Sequence, residues 1–473
     1  MELSKLNRDN IAKKIGHGAV LLHGGNTVYR NNDVAYDFRQ DSNFHYLTEW
    51  PEPSAHAIII VQDNKAALYL FVQGRHEEME TWEGKRLGPE GAKQQFGAEE
   101  AFLYEEYESL APKLLSGIED IYCDYTNAAF EKYDKKLINT AIPYDQRGSS
   151  FSKATLNSLS PLLSELRLIK SSEELENLKR ACDITVEGHK SAMEFTNKDL
   201  YEYQIEAEME KTFYDLGAER LGYPSIVASG DNACILHYST NREKVDNNGL
   251  ILIDAAAEFK MYSSDVTRTF PVNGKFTKVQ QDVYTEVLKA QEIGIKNVTT
   301  KKTMSDIHTS TVASISQSLV DLGLVPMGVE ETISMMHYFE FFMHGTGHWL
   351  GLDVHDAGTT EEKNKPRKLK PGMVTTIEPG IYIRPNKPEI EFKLLERDPK
   401  KIRERRKLLG MEKATKLENE EMKDAKSIKH VIPKDLLGIG IRIEDDIVCT
   451  DDEPINLTEE APKTIEDIEA ICS

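Results

Sequence analysis

Four carboxylates in this 473-residue chain fall at the ends of, or inside, apolar runs. Asp254 follows four aliphatic residues in Leu250-Ile-Leu-Ile-Asp-Ala-Ala, and Asp265 comes eleven residues later in Ser263-Ser-Asp-Val-Thr-Arg-Thr-Phe. Glu378 closes Thr375-Thr-Ile-Glu ahead of Pro379-Gly380, and Glu444 lies in Gly438-Ile-Gly-Ile-Arg-Ile-Glu. Burying a lone carboxylate is costly, and two close together raise each other's pKa unless a cation lies between them. The segment from Phe341 to Gly358 adds His344, His348 and His355 within twelve residues. Its glycines Gly345, Gly347 and Gly351 permit close backbone approach. Four carboxylates carry −4, so with one neutral imidazole as a nitrogen ligand, two divalent cations would neutralise the group. Oxygen-rich ligation without thiolate suits Mn²⁺, Co²⁺ or Zn²⁺ better than a structural zinc site. Two ions about 3.5–4 Å apart can hold a bridging hydroxide near neutral pH and polarise a carbonyl, which is hydrolytic chemistry.

These residues need elements to carry them. The turn-like Glu258-Phe-Lys260 between Asp254 and Asp265 predicts a hairpin whose two carboxylates face each other across the ladder. Alternation in Gly438–Glu444 puts Ile439, Ile441 and Ile443 on one face and Gly440, Arg442 and Glu444 on the other, so Arg442 and Glu444 point into the same space. Pro379-Gly380 reads as a turn after Glu378. Upstream, Ser171-Ser-Glu-Glu is a capping box opening a helix through Leu175, Leu178, Cys182 and Val186. Helical patterns at 183–197, 202–216, 278–297 and 305–323 surround strand-like runs at 225–229, 250–255 and 261–270. The fold class is therefore α+β: a mixed α/β domain over residues 1–165, then a catalytic domain over 166–473. The first domain should contain a hairpin of 55–61 with 66–72 turning at Gln62–Lys65, and a helix from Pro89 to Phe102. A charged insertion spans about 396–432. Its core, 399–427, has ten Lys/Arg against six Asp/Glu, a local +4 while the rest carries −25, and is predicted to be a solvated helical excursion or surface loop.

Composition excludes whole classes. With 58 Lys+Arg against 79 Asp+Glu the formal charge is −21, so neither nucleic acid nor an anionic membrane is an expected partner. Five scattered cysteines suit a reducing compartment. The charged amino-terminal decapeptide and the lack of any apolar run of about 18 residues lead to an expected cytoplasmic location.

With these motifs in order, the chain resembles the pita-bread metallopeptidases, and within them the Xaa-Pro aminopeptidases of the aminopeptidase P group. The likeness extends to Tyr36-Asp-Phe-Arg-Gln-Asp-Ser-Asn-Phe44 and Thr81-Trp-Glu-Gly-Lys-Arg-Leu-Gly88. It implies a pita-bread catalytic domain and two divalent metal ions, manganese foremost, held by Asp254, Asp265, His348, Glu378 and Glu444, with Asp265 and Glu444 bridging. Glu378 would also handle the proton as the bridging hydroxide attacks, while His237, His344 and His355 line the substrate site and stabilise the tetrahedral intermediate. Arg442 and Tyr382 match further active-site positions, Trp82 one lent by a neighbouring subunit, and Asn43 one where relatives often carry Asp. The implied substrates are peptides with proline second, and the implied assembly is a homo-oligomer, dimer or tetramer, to which the first domain contributes. Prolidase, acting only on Xaa-Pro dipeptides, is the near alternative; methionine aminopeptidase lacks the long first domain. A fold that kept its shape and lost its chemistry would lack ligands, and all five are present.

Overall fold

The computed structural model describes residues 2–126, 128–141 and 155–472, and the chain divides into two compact units, Met1–Arg167 and Leu168–Ser473. The first unit is built on a six-stranded sheet in the order Glu100–Leu103, Lys65–Val72, His56–Gln62, Gly18–His23, Asp120–Cys123, Thr155–Ser158. His56–Gln62 and Lys65–Val72 form the expected antiparallel hairpin. Asp63 and Asn64 turn it with φ of 52° and 62°, the left-handed pair whose twist matches the strands. Ala19, Leu21, Ile58, Phe71, Tyr107 and Ile121 pack one face of the sheet. The helix expected through Phe102 is shorter: it covers Gly88–Phe96 and ends at Gly97, φ 68°. Glu100–Leu103 then joins the sheet edge in parallel with Tyr69–Val72, so strand pairing overrides helical propensity there.

In the second unit Ser171 caps the helix Ser172–Phe195, and Glu174 reciprocates by accepting from the Ser171 N–H at 2.8 Å. The helices Glu202–Asp215, Lys278–Lys296 and Met304–Asp321 also form close to their expected spans. Ile226–Ser229, Leu250–Asp254 and Thr267–Pro271 make a three-stranded antiparallel sheet in which Asp254 stands opposite both Ile226 and Thr267. Here the expected hairpin is corrected. The ladder partner of Asp254 is Thr267, and Asp265 lies two residues short of that strand. The reversal comes at Lys260 and Met261, both at positive φ, while Glu258 is already in the strand Ala257–Phe259.

The second correction concerns Pro379-Gly380, which makes no turn. Val374–Ile377 pairs with Asp445–Val448, and Gly380–Tyr382 pairs with Gly440–Arg442, as two consecutive antiparallel ladders. Pro379 has no N–H to give, and the pairing lapses at Glu378-Pro379 opposite Ile443-Glu444. Both glutamates are thereby set at one break. Ile381, Ile441 and Ile443 face a core that includes Ile184, Phe213, Ile253, Phe270, Tyr284 and Phe342, as the alternation requires.

The charged insertion is helical. It stands on the paired strands Glu389–Lys393 and Ser427–Val431 as two helices, Pro399–Leu409 and Met411–Met422, joined at Gly410. Asp398 caps the first, and Glu418, 4% exposed, accepts from Arg397 and Arg406. Among the described residues no helix is long and apolar enough to cross a membrane.

Candidate metal centre

The break in the two ladders collects the acidic residues. Tyr223 reaches Asp254 Oδ1 and Asp265 Oδ1 with its hydroxyl, each at 2.6 Å. One phenolic proton cannot serve two charged carboxylates equally, so the pair calls for further positive charge. Arg442 provides some: Nη2 donates to Asp254 Oδ2 at 2.5 Å, Nη1 to the Tyr382 hydroxyl oxygen at 3.0 Å and Nε to Thr267 Oγ1 at 3.0 Å. The Thr267 hydroxyl in turn donates a hydrogen bond to Glu444 Oε2 at 2.7 Å.

His348 enters from the glycine-rich segment. A side chain at Gly347 would put Cβ 1.8 Å from the Thr376 carbonyl oxygen, so only glycine lets this loop lie against the strand. There the His348 N–H donates to Thr376 Oγ1 at 3.1 Å. Its Nδ1–H donates to the Trp349 carbonyl at 3.0 Å, which leaves the neutral ring a lone pair at Nε2. That nitrogen looks at Asp265 Oδ2 (3.2 Å) and Glu378 Oε1 (3.7 Å). Asp265, His348 and Glu444 each offer a ligand atom within 4.8 Å of the others.

Electrostatics shows what this arrangement lacks. Burial, with the neighbouring carboxylates, pushes Glu444 well above the ordinary carboxylate range. Burial also lifts Asp254, and carries Glu378 to about 7 with help from Asp265. Burial opposes protonation of His348, yet Asp265 and Glu378 raise it to about 9. With all four carboxylates ionised and His348 neutral, the state that ligation requires, one guanidinium leaves the cluster at −3. In that state lone pairs of oxygen and nitrogen face one another across a short gap, so the donor set fits divalent cations.

The remaining expected residues divide into two groups. His344 has both nitrogens engaged: Nδ1–H donates to the Gly345 carbonyl (2.8 Å) and Nε2 accepts from Tyr382 (2.9 Å). Burial and Arg442 hold it down at about 3, hence neutral. His355 packs edge-on to His348, ring centroids 4.3 Å apart, and is exposed. His237 is exposed too, and lies close enough to both His344 and His355 to add to the burial that lowers their pKa. Trp82 and Asn43 belong to the first unit. Trp82 is 86% exposed on the helix Glu77–Glu83, and Asn43 accepts from Arg167 Nη1 at 2.8 Å.

Sequence reasoning missed Tyr223, Thr267 and Asp446. Asp446 Oδ2 accepts from the Asp265 N–H at 3.0 Å and lies 3.3 Å from Cys182 Sγ. A run of three acids, Glu444 to Asp446, entering a buried strand was the available signal for Asp446. Tyr223 and Thr267 carry none.

A buried, cation-seeking cluster of carboxylates and one imidazole beside exposed histidines defines a metal-dependent hydrolase. Residues 176–451 match Metallopeptidase family M24, and residues 5–122 match Aminopeptidase P, N-terminal domain. The chain is 36% identical to the Xaa-Pro aminopeptidase of Haemophilus influenzae over 96% of its own length and 93% of the relative's. Among solved structures, the aminopeptidase PepP of Pseudomonas aeruginosa superposes with a TM-score of 0.86 at 35% identity, covering 99% of this chain and 97% of that one. Aminopeptidase P from Escherichia coli with the inhibitor Pro-Leu superposes with a TM-score of 0.85 at 34% identity, covering 100% and 98%. The chain belongs to metallopeptidase family M24 and carries the aminopeptidase P type of N-terminal domain. The pita-bread catalytic fold expected from the motifs is thus borne out.

Proposed function

We propose that this protein removes the N-terminal residue from peptides whose second residue is proline, using two divalent ions, manganese foremost with Co²⁺ or Zn²⁺ as substitutes. One observation carries the reading: Asp254, Asp265, His348, Glu378 and Glu444, drawn from four separate segments, converge at a single break between two ladders. The relatives' names supply the bond, which needs a dedicated site because proline has no N–H and constrains the residue before it. Bound there, two divalent ions would outweigh the cluster's −3, polarise the scissile carbonyl and make water acidic enough to react near neutral pH.

The chain's own groups do the rest. Glu378, at the edge of the cluster, would take the proton of the attacking water and return it to the leaving amine. Arg442 fixes Asp254 and the Tyr382 hydroxyl, and Tyr382 in turn donates to His344 Nε2, so this line of groups is set before substrate arrives. His237 and His355, exposed beside the cluster, are the imidazoles with faces open to substrate. Trp82 enters through a homo-oligomer, dimer or tetramer, its exposed indole lent to a neighbouring site. Asn43, its amide oxygen taken by Arg167, contributes through its amide nitrogen. Five free cysteines are consistent with a reducing cytoplasm.

Xaa-Pro-Yaa tripeptides and Xaa-Pro dipeptides, assayed with chelated and Mn²⁺-reconstituted protein, test the proposal. Metal-dependent release of Xaa from the tripeptide is expected. Cleavage confined to the dipeptide would make it a prolidase, and activity unaffected by chelation would remove the metal.

A further inference from the structure

Glu202 is 0% exposed, yet both of its carboxylate oxygens are fully engaged. Oε1 accepts from the Ser229 N–H (2.9 Å) and Asn232 Nδ2 (2.9 Å), and Oε2 from the Tyr238 hydroxyl (2.7 Å) and the Glu243 N–H (2.9 Å). A buried carboxyl without such partners would be costly, and hydrogen bonds to a carboxylate are among the stronger ones. All four donors belong to one stretch of chain, which leads from the end of strand Ile226–Ser229 to strand Leu250–Asp254 and carries His237. Its own regular structure is a 3-10 turn at Gly230–Cys234 and one bridge, Lys244 to Tyr201. The stretch therefore takes its course from side-chain bonds, and one glutamate grips it before, beside and after His237.

A second anchor lies one turn along the same helix. Asn241, at φ 49°, donates from Nδ2 to Glu206 Oε1 (2.8 Å) and the Ser225 carbonyl (2.8 Å), and accepts from the Val227 N–H at 3.0 Å. The loop of His355 is built alike: Asp356, its neighbour in sequence, pairs with Lys170 at 2.9 Å, each side chain 1% exposed. In both loops the imidazole is exposed while the next residue is tied to a buried charged group. We propose that Glu202 is a positioning residue of the peptidase site, fixing through Tyr238 and the segment Ser229–Glu243 where His237 stands. This rests on the reading of His237 as a group that stabilises the tetrahedral intermediate. The four partners of Glu202 include none of the five expected metal ligands, so it acts on turnover and leaves metal binding alone.

Glu202→Gln keeps the volume but replaces one acceptor with an amide nitrogen, which has no lone pair for an N–H. With Mn²⁺-reconstituted full-length protein and an Xaa-Pro-Yaa tripeptide, kcat should fall about tenfold while KM and the Mn²⁺ concentration for half-maximal activity stay within about twofold. The same change made on His237→Ala should cost less than about twofold, because the group it positions is gone. Without substrate, hydrogen exchange over residues 229–243 should quicken at least about tenfold in Glu202→Gln, with rates in Val374–Ile377 and Asp445–Val448 unchanged. Should Glu202→Gln melt early, Tyr238→Phe removes the single donor beside His237 and leaves the other three; kcat should then fall about threefold, again only where His237 is present. Losses that multiply in the double variant, unchanged exchange in the segment, or a Mn²⁺ titration that shifts as far as turnover falls would each overturn the proposal. A wild type that releases no Xaa from any Xaa-Pro peptide would fail the peptidase reading, and the proposal with it, before any variant is made.

Discussion

Glu444 and Asp445 are consecutive, both buried, and electrostatically opposite. Asp445 accepts from Arg268 Nη2 (2.7 Å), Lys463 Nζ (2.6 Å), Gln291 Nε2 (2.7 Å) and Thr458 Oγ1 (2.8 Å). Burial works against its charge, but Arg268 and Lys463 overcome this and hold the carboxyl well below its usual range. Glu444 receives one hydrogen bond, from Thr267, and faces Asp265, Glu378 and Asp254, which together with burial drive it up. A buried carboxylate compensated by fixed protein cations is part of the scaffold. One left uncompensated beside others marks a place for an exchangeable ion. The strand thus presents scaffold on one side and chemistry on the other.

Changing one residue on each side tests that division. Glu378→Gln keeps shape and removes charge, so kcat on an Xaa-Pro-Yaa substrate should fall on the order of 10³-fold, about 4 kcal/mol of barrier, with an unchanged circular dichroism spectrum. Near-normal turnover would end the assignment. Asp445→Asn should do the reverse and destabilise by about 3 kcal/mol, because Arg268 is left buried without its counter-charge. Residual folded enzyme should retain turnover. The pH dependence has a definite sign. A carboxylate lowered in the folded state contributes stability above its unfolded pKa of about 4, and that contribution is lost as pH falls toward the lowered value. The gap between wild type and Asp445→Asn in urea midpoints should therefore narrow from pH 5 to pH 3.

Much of this was legible in residue order. Isolated acids in apolar runs disclosed the carboxylates that the fold gathers into one cluster, and alternation along Ile439–Glu444 set Arg442 and Glu444 on one face. What spacing could not give was the break at Pro379. A proline followed by glycine is locally a turn signal, and only the partner strand 440–448 keeps the chain extended there. For the same reason Asp265 read as a ladder residue, although the excursion through Tyr262-Ser263 displaces it. Groups that reach the cluster through hydrogen bonds to its carboxylates, such as the Tyr223 phenol and the Thr267 hydroxyl, have no periodicity to reveal them. In the first unit, residues 100–103 were lost to helix because their edge pairing is nonlocal.

Tyr223→Phe sharpens the uncompensated side. It removes the one proton shared by Asp254 and Asp265 without changing volume much, so the metal concentration for half-maximal activity should rise about tenfold. An unchanged metal titration would show the phenol to be packing only. The smallest effect is expected at Arg405. It makes two hydrogen bonds of 2.8 Å to Glu421, a geometry as good as that of Arg268 with Asp445. Yet Arg268 is wholly buried, whereas Glu421 is exposed and water competes for its charge. Arg405→Ala should leave the thermal midpoint within measurement error where Asp445→Asn lowers it clearly. A loss at Arg405 as large as that at Asp445 would mean that ion-pair geometry, not burial, sets the scaffold's stability, and the contrast across Glu444 and Asp445 would need a different cause.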